Sequence, residues 1–213
     1  MAGAQVQYAS ALAKQLTEDY LAKLGAAQSI RVQFSEQWVG KGRSEIDAIL
    51  VRPNIGVIKA PGQWIYLDGT TITVYNPGRG QYMTTPETPR GIRHVFNRDV
   101  LLVLRPFFDA GAFHAFYSID SGGLEVRNGV ELQKVVYNED AKGERQLTLY
   151  LDPQDDLFRE AELRRGYLKV DGSLQTRTMV LIVHNLTLNP PLQPSDTTFS
   201  PAAAAQVPWN LNW

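Results

Sequence analysis

An α+β fold is predicted, with two helices and an antiparallel sheet of about ten or eleven strands, from three observations. An apolar period of about four residues near the N-terminus gives way to a period of two at Ile30. Short alternating runs then follow one another between Gly, Pro, Asn and Asp turn signals. A single helical stripe interrupts them midway along the chain.

The first helix is expected over residues 4–25, where Leu12, Leu16, Tyr20 and Leu24 recur every four positions beside Ala9 and Ala13, and Gly25 follows as a stop. "IRVQFSEQW" then alternates, with Ile30, Val32 and Phe34 on one side. A meander is expected next: "SEIDAILVR", "IGVIKA", "QWIYL", "TTITVY" and "QYMTT", separated by Pro53-Asn54, Pro61-Gly62, the hairpin signal Asp68-Gly69 and "NPGRG". Ile92, Phe96, Val100 and Leu104, with Val95 and Val103, predict a helix over 88–105 that opens at Pro89 and is broken by Pro106. Strands return as "AFYSID", "GLEVRN", "ELQKVVYNE", "RQLTLYLD", "LFREAELRR" and "GSLQTRTMVLIVHNLTL". The Pro-rich segment 189–213 reads as an extended tail, with a last strand near Thr198-Phe199.

At 213 residues, 44% of them hydrophobic, the chain is long enough for a substantial core, and one domain over 1–213 is expected. Its 21 basic and 22 acidic residues nearly cancel and form no basic block, so nucleic acid is excluded as a partner. The lack of cysteine excludes disulfides, thiolate metal sites and cysteine nucleophiles. No apolar run approaches the roughly 18 residues of a membrane span; "VLLVL" and "MVLIV" are the longest. "MAGAQVQYASALAK" lacks the basic-then-apolar order of a secretory leader, so export would require a leader or an anchoring Cys upstream of Met1.

Chemistry-bearing motifs are few. His94, His114 and His184 are far apart and have no carboxylate or second His at ligand spacing. "DPQDD", Asp152 to Asp156, lacks the calcium-loop pattern and reads as a turn. No nucleophile elbow or phosphate loop occurs. No catalytic residue, metal or cofactor is expected, and the chain is read as a non-enzyme.

Arg52 stands apart, because it ends an alternating strand just before Pro53. Its five donors suit the backbone carbonyls of a helix end or loop, and a solvent-facing Arg paired with a surface carboxylate is the alternative. A sheet of this size can close as a filled barrel, pack as a sandwich, or curl around its helices and leave a cavity. "VLLVLRPFF" favours the last, since Leu101, Leu102, Leu104, Phe107 and Phe108 together with Phe96 exceed what a short helix needs for docking. Leu50, Val57, Trp64, Tyr66 and Val74 would supply the facing wall. Apolar area without reactive groups suits an acyl chain, held at about 25 cal/mol per Å² buried. An ordinary dry core is the other reading.

Arg52-Pro53-Asn54 followed by Asp68-Gly69-Thr70 and Tyr75-Asn76-Pro77 resembles the Arg-Pro-Asn and Ser-Asp-Gly-Lys-Thr-Leu-Trp-x-Tyr-Asn-Pro pattern of the LolA-like periplasmic lipoprotein carriers. "TTFSPAAAAQV" is similar to that family's Phe-x-Phe-x-Pro-Pro-x-Gly-Val ending. The chain departs from the pattern at Thr73, where the family has Trp, and at Ala202 to Ala204, where it has Pro-Gly; "FFDAGAFHAFYSIDSGG" has no counterpart. The resemblance implies a strongly curved, half-open sheet, an unclosed barrel, covered by the N-terminal helix and a mid-chain helical lid, with Arg52 locking the lid. It also implies a periplasmic or outer-membrane-associated monomer that carries a lipid or lipidated protein and meets an envelope membrane protein. An envelope sensor or protein-interaction module with a filled interior is the alternative that the same resemblance allows.

Overall fold

The structure is a computed structural model that describes residues 6–38, 42–96, 99–168, 173–201 and 204–208. Ala4, residues 97 and 98, the Asp171-Gly172 turn, Ala202, Ala203 and the last five residues of the expected tail lie outside the described residues. In chain order the elements are β1 (Gln7–Tyr8), α1 (Ala11–Ala26), β2 (Ser29–Trp38), β3 (Arg43–Val51), β4 (Ile55–Ala60), β5 (Gln63–Asp68), β6 (Thr71–Asn76) and β7 (Gln81–Pro86). There follow α2 (Pro89–Phe96), 3₁₀ helices at Asp99–Phe107 and Ala110–Ala115, β8 (Ser118–Arg127), β9 (Val130–Asn138), β10 (Arg145–Leu151), β11 (Phe158–Leu168) and β12 (Leu174–Leu188). A short 3₁₀ turn, Pro194–Asp196, precedes β13 (Ala205–Gln206).

The strands join in the linear order β1-β8-β9-β10-β11-β12-β2-β3-β4-β5-β6-β7-β13, an unclosed sheet. The predicted α+β class and antiparallel meander are as found. Among the described residues there are thirteen strands, because two-residue β1 and β13 add themselves in parallel to β8 and β7 at the two ends. The expected strand at Thr198-Phe199 is absent; β13 forms further along, at Ala205.

Packing divides the chain into two compact units. The first comprises Met1–Ala26, Glu36–Arg43 and Arg105–Val183; the second comprises Ala27–Ser35, Ser44–Leu104 and His184–Trp213.

In the first unit, Ser10 caps α1 by accepting the Ala13 N–H at 3.0 Å. The helix begins after β1, later than expected, and its buried positions are Ala13, Thr17, Tyr20 and Leu24. Leu12, placed on the stripe by the four-residue spacing, is 46% exposed. A helix turns every 3.6 residues, so a strict spacing of four drifts around the axis, whereas steps of four, three and four hold one face. Tyr20 meets Phe113 and Phe158 with ring centroids 6.0 and 6.3 Å apart, and Tyr137 meets Phe113 at 4.8 Å. The Thr17 and Tyr137 hydroxyls share a hydrogen bond at 3.3 Å, which satisfies the polar tips inside this aromatic core.

"AFYSID" and "GLEVRN" are one strand, β8, where two were expected. The Ser121-Gly122-Gly123 segment that reads as a turn is a β-bulge, with Gly123 at φ +75° and a register shift between Ser121 and Gly123. The expected helix over 88–105 is also divided, into α2 and the 3₁₀ helix Asp99–Phe107. Pro106 lacks the N–H that would continue α-helical bonding, and the tighter winding accommodates the end of this segment.

At the end of β8, Arg127 collects carboxylates. Its Nη1 donates to Glu125 at 3.1 Å, its Nε to Glu160 at 3.0 Å, and its Nη2 pairs with both Glu160 and Glu162. The guanidinium also lies 4.5 Å from the Tyr150 ring centroid. The hydrogen bond to Glu160 chiefly raises the pKa of Arg127. Because the Glu160 side chain is only 5% exposed, removing its partner would strand a buried charge. Arg127→Met is expected to lower the unfolding free energy by about 3–5 kcal/mol in urea denaturation. Arg127→Met combined with Glu160→Leu should recover most of that loss.

Candidate functional site

The second unit contains the segment that sequence analysis singled out. The register of β3 to β7 sorts its side chains into rows. Ala48, Ile58, Ile65, Val74 and Met83 form one row, and Leu50, Gly56, Leu67, Ile72 and Thr85 the next, both on one face. On the opposite face, Ile49, Val57, Tyr66, Thr73 and Thr84 form one row, and Asp47, Lys59, Trp64, Tyr75 and Tyr82 another.

The expected wall is therefore divided. Leu50 and Val74 share the first face, at 0% and 5% exposure, whereas Val57, Trp64 and Tyr66 stand on the second. Successive side chains of a strand point to opposite faces, and a strand apolar on both faces reads as a continuous run from which the two sets cannot be separated.

The first face meets α2. Thr88 caps that helix, its hydroxyl accepting the Gly91 N–H at 3.0 Å, and Pro89 occupies the first helical position. Gly91 comes so close to the sheet that an added Cβ would lie 3.0 Å from the Ile72 side chain. Phe96, Leu101 and Leu104, in and after α2, are buried, and Leu102 is half-buried. Phe107 is buried and Phe108 half-buried, their rings 5.0 Å apart in a T-shaped pair; both belong to the first unit.

The second face is covered by the chain after β12. Leu192 and Phe199 pack against the Ile49, Val57 and Tyr66 cluster. The Phe199 ring lies 5.1 Å from Tyr66, 5.7 Å from Tyr75 and 5.0 Å from Tyr82. Trp64 stacks edge-on against Tyr75 at 5.6 Å, and Lys59 Nζ lies 5.1 Å from the Trp64 ring centroid. Sequence reading found Phe199 only as part of an expected strand, because nothing local indicates which distant rings it meets.

Arg52 Nε donates to the Ala27 carbonyl at 2.9 Å, and its backbone N–H donates to Gln28 O at 2.9 Å. A backbone carbonyl acceptor was one of the two readings of the sequence, and this one lies between α1 and β2. The same junction is fastened from the other side, where Asn189 Oδ1 accepts the Gln28 N–H at 2.8 Å. At the neighbouring hairpin, Asp68 Oδ1 accepts from Thr70 N, Thr70 Oγ1 and Thr71 N at 2.8, 2.8 and 2.6 Å. Glu87 accepts from the Asn54 amide and, at 3.3 Å, from Gly69 N. Partial burial pulls the Asp68 pKa upward, but these hydrogen bonds outweigh it and hold the carboxyl below its ordinary value. Burial raises the pKa of Glu87.

Among the described residues no group of three or more His, Cys, Asp or Glu could hold a metal ion. Asp152 and Asp155 of "DPQDD" are paired with Arg159, and both also accept turn amides, as the turn reading requires. Among the described residues no helix is long and apolar enough to cross a membrane.

No protein-family model and no curated protein matches the sequence. Among solved structures, the chain is similar to an uncharacterized conserved protein from Thermus thermophilus, with TM-score 0.55 and 10% identity over 93% of this chain and 99% of that one. This likeness is one of fold. The chain is also similar to a LolA superfamily protein from Nitrosomonas europaea, at TM-score 0.36 and 12% identity over 88% of this chain and 97% of that one. The MucA/MucB complex of Pseudomonas aeruginosa matches at TM-score 0.46 and 16% identity, covering 89% of this chain and 62% of that one. The Arg52 side chain, just after the end of β3, thus holds backbone outside the strand.

Two measurements check these polar contacts. Arg52→Leu should lower stability by about 1 kcal/mol through loss of the Ala27 bond. Asp68 has a folded pKa below its unfolded value, so its contribution is present above the unfolded value near pH 3.8 and is lost as pH falls through the folded value. The stability difference between wild type and Asp68→Ala should accordingly shrink in acid unfolding curves below about pH 4.

Proposed function

We propose that the chain is a non-enzymatic carrier of hydrophobic ligands in the bacterial envelope. In this reading, acyl chains of a lipid or lipidated protein lie against the Leu50 and Val74 face, beneath α2 and the segment that follows it. One observation carries the reading: two rows of side chains on that face, from Ala48 to Met83 and from Leu50 to Ile72, include no ionisable group. The resemblance to the lipoprotein carriers supports it, and so does the apolar surplus of Phe96, Leu101, Leu102 and Leu104 above what docking requires.

The face is closed in this state, with Leu50, Leu67 and Ile72 at 0–1% exposure. A ligand therefore enters only when the covering helix moves away, and the area it buries replaces the area that the helix gives up. Arg52 serves as the polar latch of the same mechanism, its bond to Ala27 breaking when this end of β3 opens. The chain works in the periplasm or at the outer membrane, where lipidated cargo is handed over as a monomer-sized complex.

A fluorescent fatty-acid probe tests the proposal. Saturable binding to wild type is expected, about tenfold weaker for Leu102→Asp, because a charge would replace a half-buried apolar contact. Gly91→Leu should hold α2 away from Ile72 and speed probe uptake. If neither wild type nor Gly91→Leu binds the probe saturably, the carrier reading is wrong.

A further inference from the structure

A pocket of about 470 Å³ lies within the second unit, on the opposite face from the proposed acyl site. Its floor is the outer face of β4 to β6, where Tyr66, Asp68 and Thr73 stand, and its wall is the segment Pro194 to Phe199. The volume falls within the range of about 300–1,000 Å³ typical of small-molecule sites. Its lining is mixed: four threonines and a carboxylate share it with Tyr66, Phe199, Ile55 and Pro194.

The polar groups have a definite sense. Among the described residues the hydroxyls of Thr73 and Thr197 make no hydrogen bond, although Thr73 is only 6% exposed. Asp68 commits its Oδ1 to the hairpin amides, and Oδ2 receives none of those three bonds. Glu87 lies close enough to raise the local negative potential. Among the described residues no Lys, Arg or His lines the pocket, which disfavours phosphates and carboxylates as ligands. Tyr66 and Phe199, 5.1 Å apart, offer flat apolar surfaces that also attract cations.

We infer that this pocket binds an amino sugar, with the sugar ring against Tyr66 and Phe199, its hydroxyls on Thr73 and Thr197, and its ammonium on Asp68. An ammonium would add a charge-assisted bond to Asp68 that a neutral sugar lacks, and a simple alkylammonium would leave the threonine hydroxyls unused. The inference goes beyond the carrier reading and does not rest on it.

The test is calorimetric titration of the whole chain with glucosamine, glucose and glucose 6-phosphate. Glucosamine should saturate one site and bind about tenfold more tightly than glucose, as a charge-assisted bond implies. Glucose 6-phosphate should give no binding. Asp68→Asn keeps the oxygen that the hairpin amides need and should reduce glucosamine to the affinity of glucose. Thr73→Trp, or Thr197→Tyr from the opposite wall, fills the space and should abolish binding of both sugars while leaving fatty-acid probe uptake unchanged. The inference is overturned if wild type binds glucosamine no better than glucose, if the filling variants still bind it, or if glucose 6-phosphate is preferred. Loss of probe uptake in wild type would count against the carrier reading alone.

Discussion

The strands β3 to β7 are covered on both faces, and that double burial governs most of what the second unit can do. A strand presents alternate side chains to opposite sides. When α2 meets one side and the chain after β12 meets the other, both sets must be largely apolar. Ile49, Val57 and Tyr66 serve one face, and Leu50, Ile58 and Leu67 the other. Runs such as "AILV", "IGVI" and "WIYL" follow directly. Their chemical quietness needs no ligand to account for it, so the carrier proposal rests on the absence of ionisable groups in two whole rows rather than on greasiness alone.

The limits of reading this chain from sequence follow from the same geometry. Alternation and turn residues located β4 and β5 to within a residue, because Pro53-Asn54, Pro61-Gly62 and Asp68-Gly69 punctuate them. Which parity faces the helix was illegible, since neither face is polar enough to mark itself as solvent. Val57, Trp64 and Tyr66 were accordingly grouped with Leu50 and Val74, although they point the other way. The N-terminal stripe failed by a smaller angle, through a spacing of four where Ala13, Thr17, Tyr20 and Leu24 keep the true face. Ser121 to Gly123 misled for another reason: two adjacent glycines signal a turn and a bulge equally well.

Arg52 shows how far polar residues can be read. A strand end before Pro53 with a five-donor side chain suggests a backbone acceptor, and one is found. Its identity, Ala27, depends on how β2 and β3 bring together residues 25 positions apart, which no local pattern encodes. The same holds for Thr73. The sequence marks it only as a departure from the family's Trp, and Phe199 and Pro194, which share its pocket, arrive from far along the chain.

The two faces of this sheet differ in the chemistry they can accept and in what covers them. Beneath α2 the rows are apolar, and closure is held by area, so an occupant must offer comparable area to displace the helix. Beneath the Pro194 to Phe199 segment the lining is mixed, and space already exists with that segment in place. A polar ligand there gains directed bonds without displacing its cover, whereas an acyl chain beneath α2 gains nothing until its cover moves. Binding on the first face is consequently coupled to a conformational step, and binding on the second is not. A single-layered sheet can thus carry two sites of different character, one apolar and one mixed, because alternation lets each face be specified by its own half of the residues.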